Sequence, residues 1–195
     1  EIAACPVADP RLVAALPALA RVADAFLEHP KSAPTLHVTL TLDGLDVDVT
    51  GVERRSGGLS RDAQMRAIAA SNAADLARLS LAGETLVMAR QPHVQFGPAT
   101  VPVPAGGFLQ AAPPAEVAMV ERAVAAVKGA KKIADLFCGA GTFTFPLAKV
   151  APVLAADGSA PGIAALKAGF KTAKGIKPVE AQARDLFRRP MAPYD

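Results

Sequence analysis

Three aspartates, each placed where a short apolar run gives out, are the residues of this chain best suited to chemistry. Asp135 lies near the end of Ile133-Ala134-Asp135-Leu136-Phe137, just ahead of Cys138-Gly139-Ala140-Gly141-Thr142. Asp157 closes the run from Val153 to Ala156, and Asp185 follows the one from Val179 to Ala183. Ionised carboxylates accept hydrogen bonds from ribose hydroxyls, ammonium groups and exocyclic amines. Gly139 and Gly141 allow a tight turn whose backbone can approach a ligand closely. Acids at successive strand ends beside a Gly-X-Gly turn point to a nucleoside-containing cofactor at the carboxyl edge of a parallel sheet.

Two cofactor chemistries compete for that turn. A dinucleotide fingerprint wants a third glycine where this chain has Thr144, so the match is incomplete. S-adenosyl-L-methionine has no phosphate, and its ammonium, carboxylate and ribose need polar partners. Asp135 and the turn backbone suit its methionine end, Asp157 its ribose, and Asp185 its adenine amino group. That second reading is favoured over a nicotinamide. Cys138, inside the turn, reads as a small packed residue rather than a nucleophile.

The elements that must position these residues follow from periodicity. Beyond Gly106-Gly107 the pattern predicts a helix over 114–127, then strand 133–137, helix 143–150, strand 153–156, helix 161–173 and strand 179–183. That alternation is the signature of a parallel sheet wound with helices. Before the glycines the pattern differs. Asp9-Pro10 starts a helix that His29-Pro30 closes. Leu36, Val38, Leu40 and Leu42, then Leu45, Val47 and Val49, alternate around Asp43-Gly44 as a hairpin. Ser60 caps a helix to about Leu79, and short strands follow over 86–89, 94–96 and 100–103. The expected organisation is α/β: a central α+β module over 1–105, then over 106–195 the first half of a Rossmann-like sheet.

Composition narrows the class. With 195 residues, 51% hydrophobic and 20% charged, the chain can bury a core and is not a disordered segment. No apolar run is long enough to span a membrane. Two cysteines, Cys5 and Cys138, are too few for a disulfide scaffold and fit a reduced, cytoplasmic setting. The net charge of +3 is a mild bias towards acidic partners. Arg54 and Arg55, just past the hairpin, are candidates for RNA phosphate contact, because loops project. Lys167, Lys171, Lys174 and Lys177 read instead as a solvated face. One tyrosine and no tryptophan leave a base-stacking platform poorly supplied. His37 and His93 fall in strands and read as structural, His29 as a helix end. No metal-ligand spacing appears.

The stretch Asp135-Leu136-Phe137-Cys138-Gly139-Ala140-Gly141-Thr142-Phe143-Thr144-Phe145-Pro146-Leu147-Ala148 closely resembles the RNA uracil-5-methyltransferases, which use S-adenosyl-L-methionine to methylate ribosomal or transfer RNA. Gly107-Phe108-Leu109-Gln110 is similar to that family's aromatic-X-Gln segment, so the resemblance implies that Gln110 touches the cofactor. It implies the same for Phe137 and Thr142 in the turn, with Asp157 on the ribose and Asp185 near adenine. Cys5-Pro6-Val7 resembles the segment supplying the last ligand of a four-iron four-sulfur cluster in the ribosomal branch. The implied partner is therefore RNA, with 23S rRNA favoured over tRNA. Thr142 and Ala112 depart from asparagines common in the family.

In that family a segment like Pro193-Tyr194-Asp195 leads into a fourth strand, an Asp-Pro-Pro turn, a nucleophilic cysteine and a general-base glutamate. None of these is present, and the chain starts at Glu1 without methionine or a signal-peptide pattern. The expectation is a fragment holding the class I methyltransferase cofactor half and no catalytic residue. A cluster needs four ligands, so Cys5 is expected to serve as one only in a longer parent protein. The other readings are a nicotinamide-dependent oxidoreductase and a non-catalytic RNA-binding module.

Overall fold

The computed structural model describes residues 5, 8–53 and 58–192. Two compact units divide between Pro92 and His93.

In the first unit, helix α1 (Pro10–Asp24) starts at Asp9, whose carboxylate accepts from the Arg11 backbone N–H at 2.9 Å. Strands β1 (Thr35–Thr41) and β2 (Gly44–Thr50) pair antiparallel, with Thr41 opposite Gly44. The two-residue loop is thus Leu42-Asp43, one residue earlier than the Asp43-Gly44 expected. The Thr41 hydroxyl explains the shift. It donates to the Gly44 carbonyl at 2.6 Å and accepts from Asp43 N–H at 3.2 Å, closing the loop early. Gly44 then opens β2 at φ +121°, a conformation side chains rarely adopt.

Helix α2 (Arg61–Ala73) is capped by Ser60, which accepts from the Ala63 N–H. It stops well short of Leu79, because Asp75 turns the backbone through φ +48° and Arg78–Leu81 form strand β3. Arg78 and Ser80 alternate with leucines, so the segment looks half solvent-facing, yet all four residues are buried. Strand β4 (Glu84–Met88) completes a sheet ordered β1-β2-β3-β4, in which only the β2–β3 pair is parallel. Val22, Phe26, Val47, Val49, Leu76 and Leu79 form its core.

The second unit opens with a hairpin, β5 (His93–Phe96) and β6 (Ala99–Pro102), followed by α3 (Pro113–Ala126). Then come β7 (Ile133–Leu136), the one-turn α4 (Thr144–Leu147), β8 (Val153–Asp157), α5 (Ala160–Phe170) and β9 (Val179–Ala183). Strands β7, β8 and β9 make a parallel sheet in that order. The expected boundary at 105/106 does not coincide with the division at 92/93, because the β5–β6 hairpin belongs to the second core. Phe96 and Val101 pack with Phe145 and Leu166. Thr172 Oγ1 accepts from Thr100 N–H and donates to its carbonyl, both at 3.0 Å. A Cβ on Gly169 would meet Val101 at 2.6 Å, so glycine is what lets α5 lie against β6. Helix α4 is shorter than the expected 143–150, since Lys149 and Val150 close on Pro146 and Leu147 by three-residue turns.

Candidate functional site

Parallel strands deliver their carboxyl ends to one edge. Asp135 lies beside Ala155 of β8, and Asp157 beside Ala183 of β9, so two of the predicted acids sit on adjacent strands. Asp185 follows two residues after β9. The turn after β7 ties two of them together. Asp157 accepts from the Gly139 N–H through Oδ2 at 2.9 Å and from the Ser159 N–H through Oδ1 at 2.7 Å. A carboxylate bonded to two backbone N–H groups is held rigidly and keeps further lone pairs free for a ligand.

Asp135 is gripped differently. Thr144, with no exposed surface, donates its hydroxyl to Asp135 Oδ2 at 2.5 Å. Burial raises the Asp135 pKa above its ordinary value, the Thr144 hydroxyl opposes that rise, and the nearby Asp157 charge adds to it. An acid held in this state gains from an incoming cation, which supplies the counter-charge the protein withholds.

The two glycines divide the work. At Gly139 (φ +54°) an added Cβ would meet nothing within 4 Å, so open space lies above the turn. At Gly141 (φ +105°) a Cβ would strike the Phe145 ring at 2.7 Å, so packing as well as conformation demands glycine there. Between β7 and the first of them in sequence, Phe137 adopts φ +59°, uncommon for a large side chain. The residue is 58% exposed, and its ring meets that of Phe187, 89% exposed, at a centroid distance of 5.4 Å.

Other predicted residues are placed less tightly. Asp185 turns its Oδ1 onto the N–H groups of Phe187 and Arg188, both at 3.1 Å, so part of its capacity shapes its own loop. Thr142 is half-buried in the turn, and Gln110 half-buried on the coil before α3. Cys138 is buried, with its thiol pushed up to about 12, first by burial and then by the Asp135 and Asp157 charges. Cys5 is half-exposed, and among the described residues no group of three His, Cys, Asp or Glu could hold a metal ion. Two cysteines do not fit a four-iron four-sulfur cluster within this chain. Arg54 and Arg55 lie outside the described residues, as do Pro6, Val7 and Pro193 to Asp195. The four lysines from 167 to 177 are exposed, as expected of a solvated face.

Sequence reasoning missed three residues. Thr144 entered only as an absent glycine, yet it orients Asp135; a hydroxyl nine residues after an acid carries no recognisable signal. Ser159 contributes twice, through its N–H to Asp157 and as the cap of α5, where Ser159 Oγ accepts from Gly162 N–H at 3.1 Å. A serine before Ala160-Pro161 is a readable cap. Phe187 was invisible, because its partner lies fifty residues earlier in sequence.

A three-stranded parallel sheet with a Gly-X-Gly turn after its first strand and acids at its carboxyl edge is part of a class I, Rossmann-like methyltransferase fold. The tRNA (uracil-54, C5)-methyltransferase of Pyrococcus abyssi, solved in complex with S-adenosyl-L-homocysteine, shares it with a TM-score of 0.62. That match covers 93% of this chain and 48% of the other at 16% identity, a likeness of fold. No protein-family model matches the chain. In sequence it is 66% identical over 191 residues to an uncharacterized RNA methyltransferase of Caulobacter vibrioides, covering 98% of this chain and 46% of that protein. A protein of the same description from Brucella suis is 42% identical over 197 residues, again across 46% of its length. The chain spans about half the length of the curated relatives it matches.

Proposed function

We propose that this chain is the cofactor-binding half of an S-adenosyl-L-methionine-dependent RNA methyltransferase that acts on carbon five of uridine, in 23S rRNA rather than tRNA. The observation that carries the reading is Asp157, fixed by the N–H groups of Gly139 and Ser159 beside an open glycine turn. Its remaining lone pairs suit the paired hydroxyls of a ribose. Asp135, oriented by the Thr144 hydroxyl and in no ion pair among the described residues, suits an ammonium. Asp185 keeps one carboxylate oxygen only loosely engaged, 3.6 Å from the Arg188 Nε, for an exocyclic amine. Bound there, S-adenosyl-L-methionine supplies an electrophilic methyl group on a sulfonium. The buried Thr144 stands against a dinucleotide, since the position is filled by a hydroxyl already committed to Asp135.

The uridine assignment rests on the likeness of the segment from Asp135 to Ala148 to the RNA uracil-5-methyltransferases and on the fold shared with the tRNA (uracil-54, C5)-methyltransferase. This reading gives the chain no catalytic residue. Cys138, with its thiol near 12, stays protonated at neutral pH and is no nucleophile. The thiolate that adds to uracil, and the base that removes the proton from carbon five, are assigned to the remainder of a protein of the relatives' length. In that protein Cys5 is proposed as one cluster ligand, Gln110, Phe137 and Thr142 as cofactor contacts, and Arg54 and Arg55 as RNA contacts, in the cytoplasm.

Calorimetric titration with S-adenosyl-L-methionine tests the cofactor half. The chain binds it, and Asp157→Ala weakens binding at least ~10-fold, the loss of one charge-assisted bond and its geometry. Failure of the unaltered chain to bind overturns the reading. For the reaction, mass spectrometry of 23S rRNA from cells lacking the longer protein should show one missing methyluridine. A methyl lost from another base or from tRNA overturns that part.

A further inference from the structure

We propose that Phe187, with Arg188 and Arg189, forms a docking surface for an unpaired RNA nucleotide beside the cofactor turn, whose Phe137 ring packs against it. This deepens the function proposed above by naming where the RNA strand is gripped. Because β8 lies between β7 and β9, a residue just after β7 and one beyond β9 meet only across the carboxyl end of β8. Their rings do meet, at 5.4 Å and an interplanar angle of 49°. Within these 195 residues both are largely open to water, which for two phenylalanines forgoes the usual gain from burial.

The protein holds them there by separate means. Phe137 occupies a left-handed backbone conformation. The loop carrying Phe187 is tied at both ends: Asp185 accepts from the N–H groups of residues 187 and 188, while Arg184 donates to the carbonyls of Arg189 at 2.8 Å and Pro190 at 2.7 Å. A loop fixed by its own side chains presents Phe187 without further ordering on binding. Arg188 is exposed, 3.6 Å from Asp185, and Arg189 is exposed beside it.

Charge selects the occupant. A nucleobase stacks on aromatic rings whatever its source, but S-adenosyl-L-methionine has no phosphate and carries net positive charge, which two arginines repel. An RNA nucleotide brings a base for the Phe187 ring and phosphates for the guanidiniums. The scarcity of tyrosine and tryptophan is thus made good by phenylalanine.

The test uses the 195-residue chain and a fluorescent single-stranded uridine-containing RNA, with S-adenosyl-L-methionine affinity measured in parallel. Phe187→Ala weakens RNA binding ~10-fold, the loss of one stacked base. Arg188→Ala with Arg189→Ala flattens the salt dependence of log affinity by about 1.4, as expected for two phosphates on a single strand. Both variants keep the cofactor affinity of the unaltered chain. If Phe187→Ala instead loses the cofactor and keeps RNA, the Phe187 ring serves adenine and the inference falls. It falls equally if neither ligand responds, or if the unaltered chain does not bind the RNA. A chain that binds RNA through Phe187 but never binds S-adenosyl-L-methionine would sink the methyltransferase reading and leave this surface standing.

Discussion

Both units build sheets that carry aspartates, and they treat those acids in opposite ways. In the first unit Asp46 and Asp48 are buried within β2, and Asp46 is answered by an opposite charge. Arg78 grips Asp46 with a two-pronged contact at 2.8 and 2.6 Å, and Gly83 N–H donates to Asp48 at 2.9 Å. In the second unit Asp135 and Asp157 stand at strand ends, with a hydroxyl and backbone N–H groups for partners. Acids inside a strand, matched by a guanidinium, hold a structure together. Those at a parallel sheet's carboxyl edge, whose hydrogen bonds among the described residues come from neutral donors, are the ones proposed above to meet a cation or a hydroxyl.

The largest effect that would break this contrast comes from Arg78→Ala. Removing one partner strands a buried carboxylate, and a loss of about 3–5 kcal/mol is expected in urea denaturation. A small loss would mean that Asp46 is hydrated and that the first unit's acids are no more committed than the second's. Replacing Asp46 and Arg78 together by leucine and methionine should recover most of that stability, since no charge is then left unmatched.

Asp135→Asn sharpens the contrast from the other side. The folded-state pKa of Asp135 is raised above 3.8, so its contribution to stability is complete below that value and is lost as pH rises through the folded value. The amide has no such penalty. Its unfolding midpoint at pH 7 should therefore exceed that of the unaltered chain, the gap closing towards pH 3.8, while S-adenosyl-L-methionine affinity falls. An acid whose removal stabilises the fold yet weakens the ligand is one retained for the ligand. Equal midpoints at both pH values would remove that argument.

Cysteine labelling gives the smallest effect. With its thiol pushed to about 12 and its side chain buried, Cys138 should resist an aromatic disulfide reagent at pH 8. The half-exposed Cys5 should react first, and Cys138 only on unfolding. Rapid labelling of both would show that the turn opens in solution.

Much of this was legible in residue order. Strand β9 falls on the predicted 179–183, and the Asp-Pro and Ser-led helix starts carry their caps where expected. Strand β3 was not legible, because Arg78 and Ser80 mimic a solvent face until Asp46 is known to lie opposite. The hairpin β5–β6 could not be assigned to its unit from Pro and Gly spacing, since what holds it is Thr172, far along the chain.

The sequence by itself determined local matters: which segments pair or coil, where glycine must turn the chain, and that acids end successive strands. Those depend on neighbours within a few residues, through backbone sterics, capping and hydrophobic period. Only the tertiary structure decided which acid is gripped by a hydroxyl and which by backbone N–H groups. It alone brought Phe137 and Phe187 together and sealed Cys138 away. These are contacts between distant positions, fixed by strand order and packing, and no local pattern encodes them.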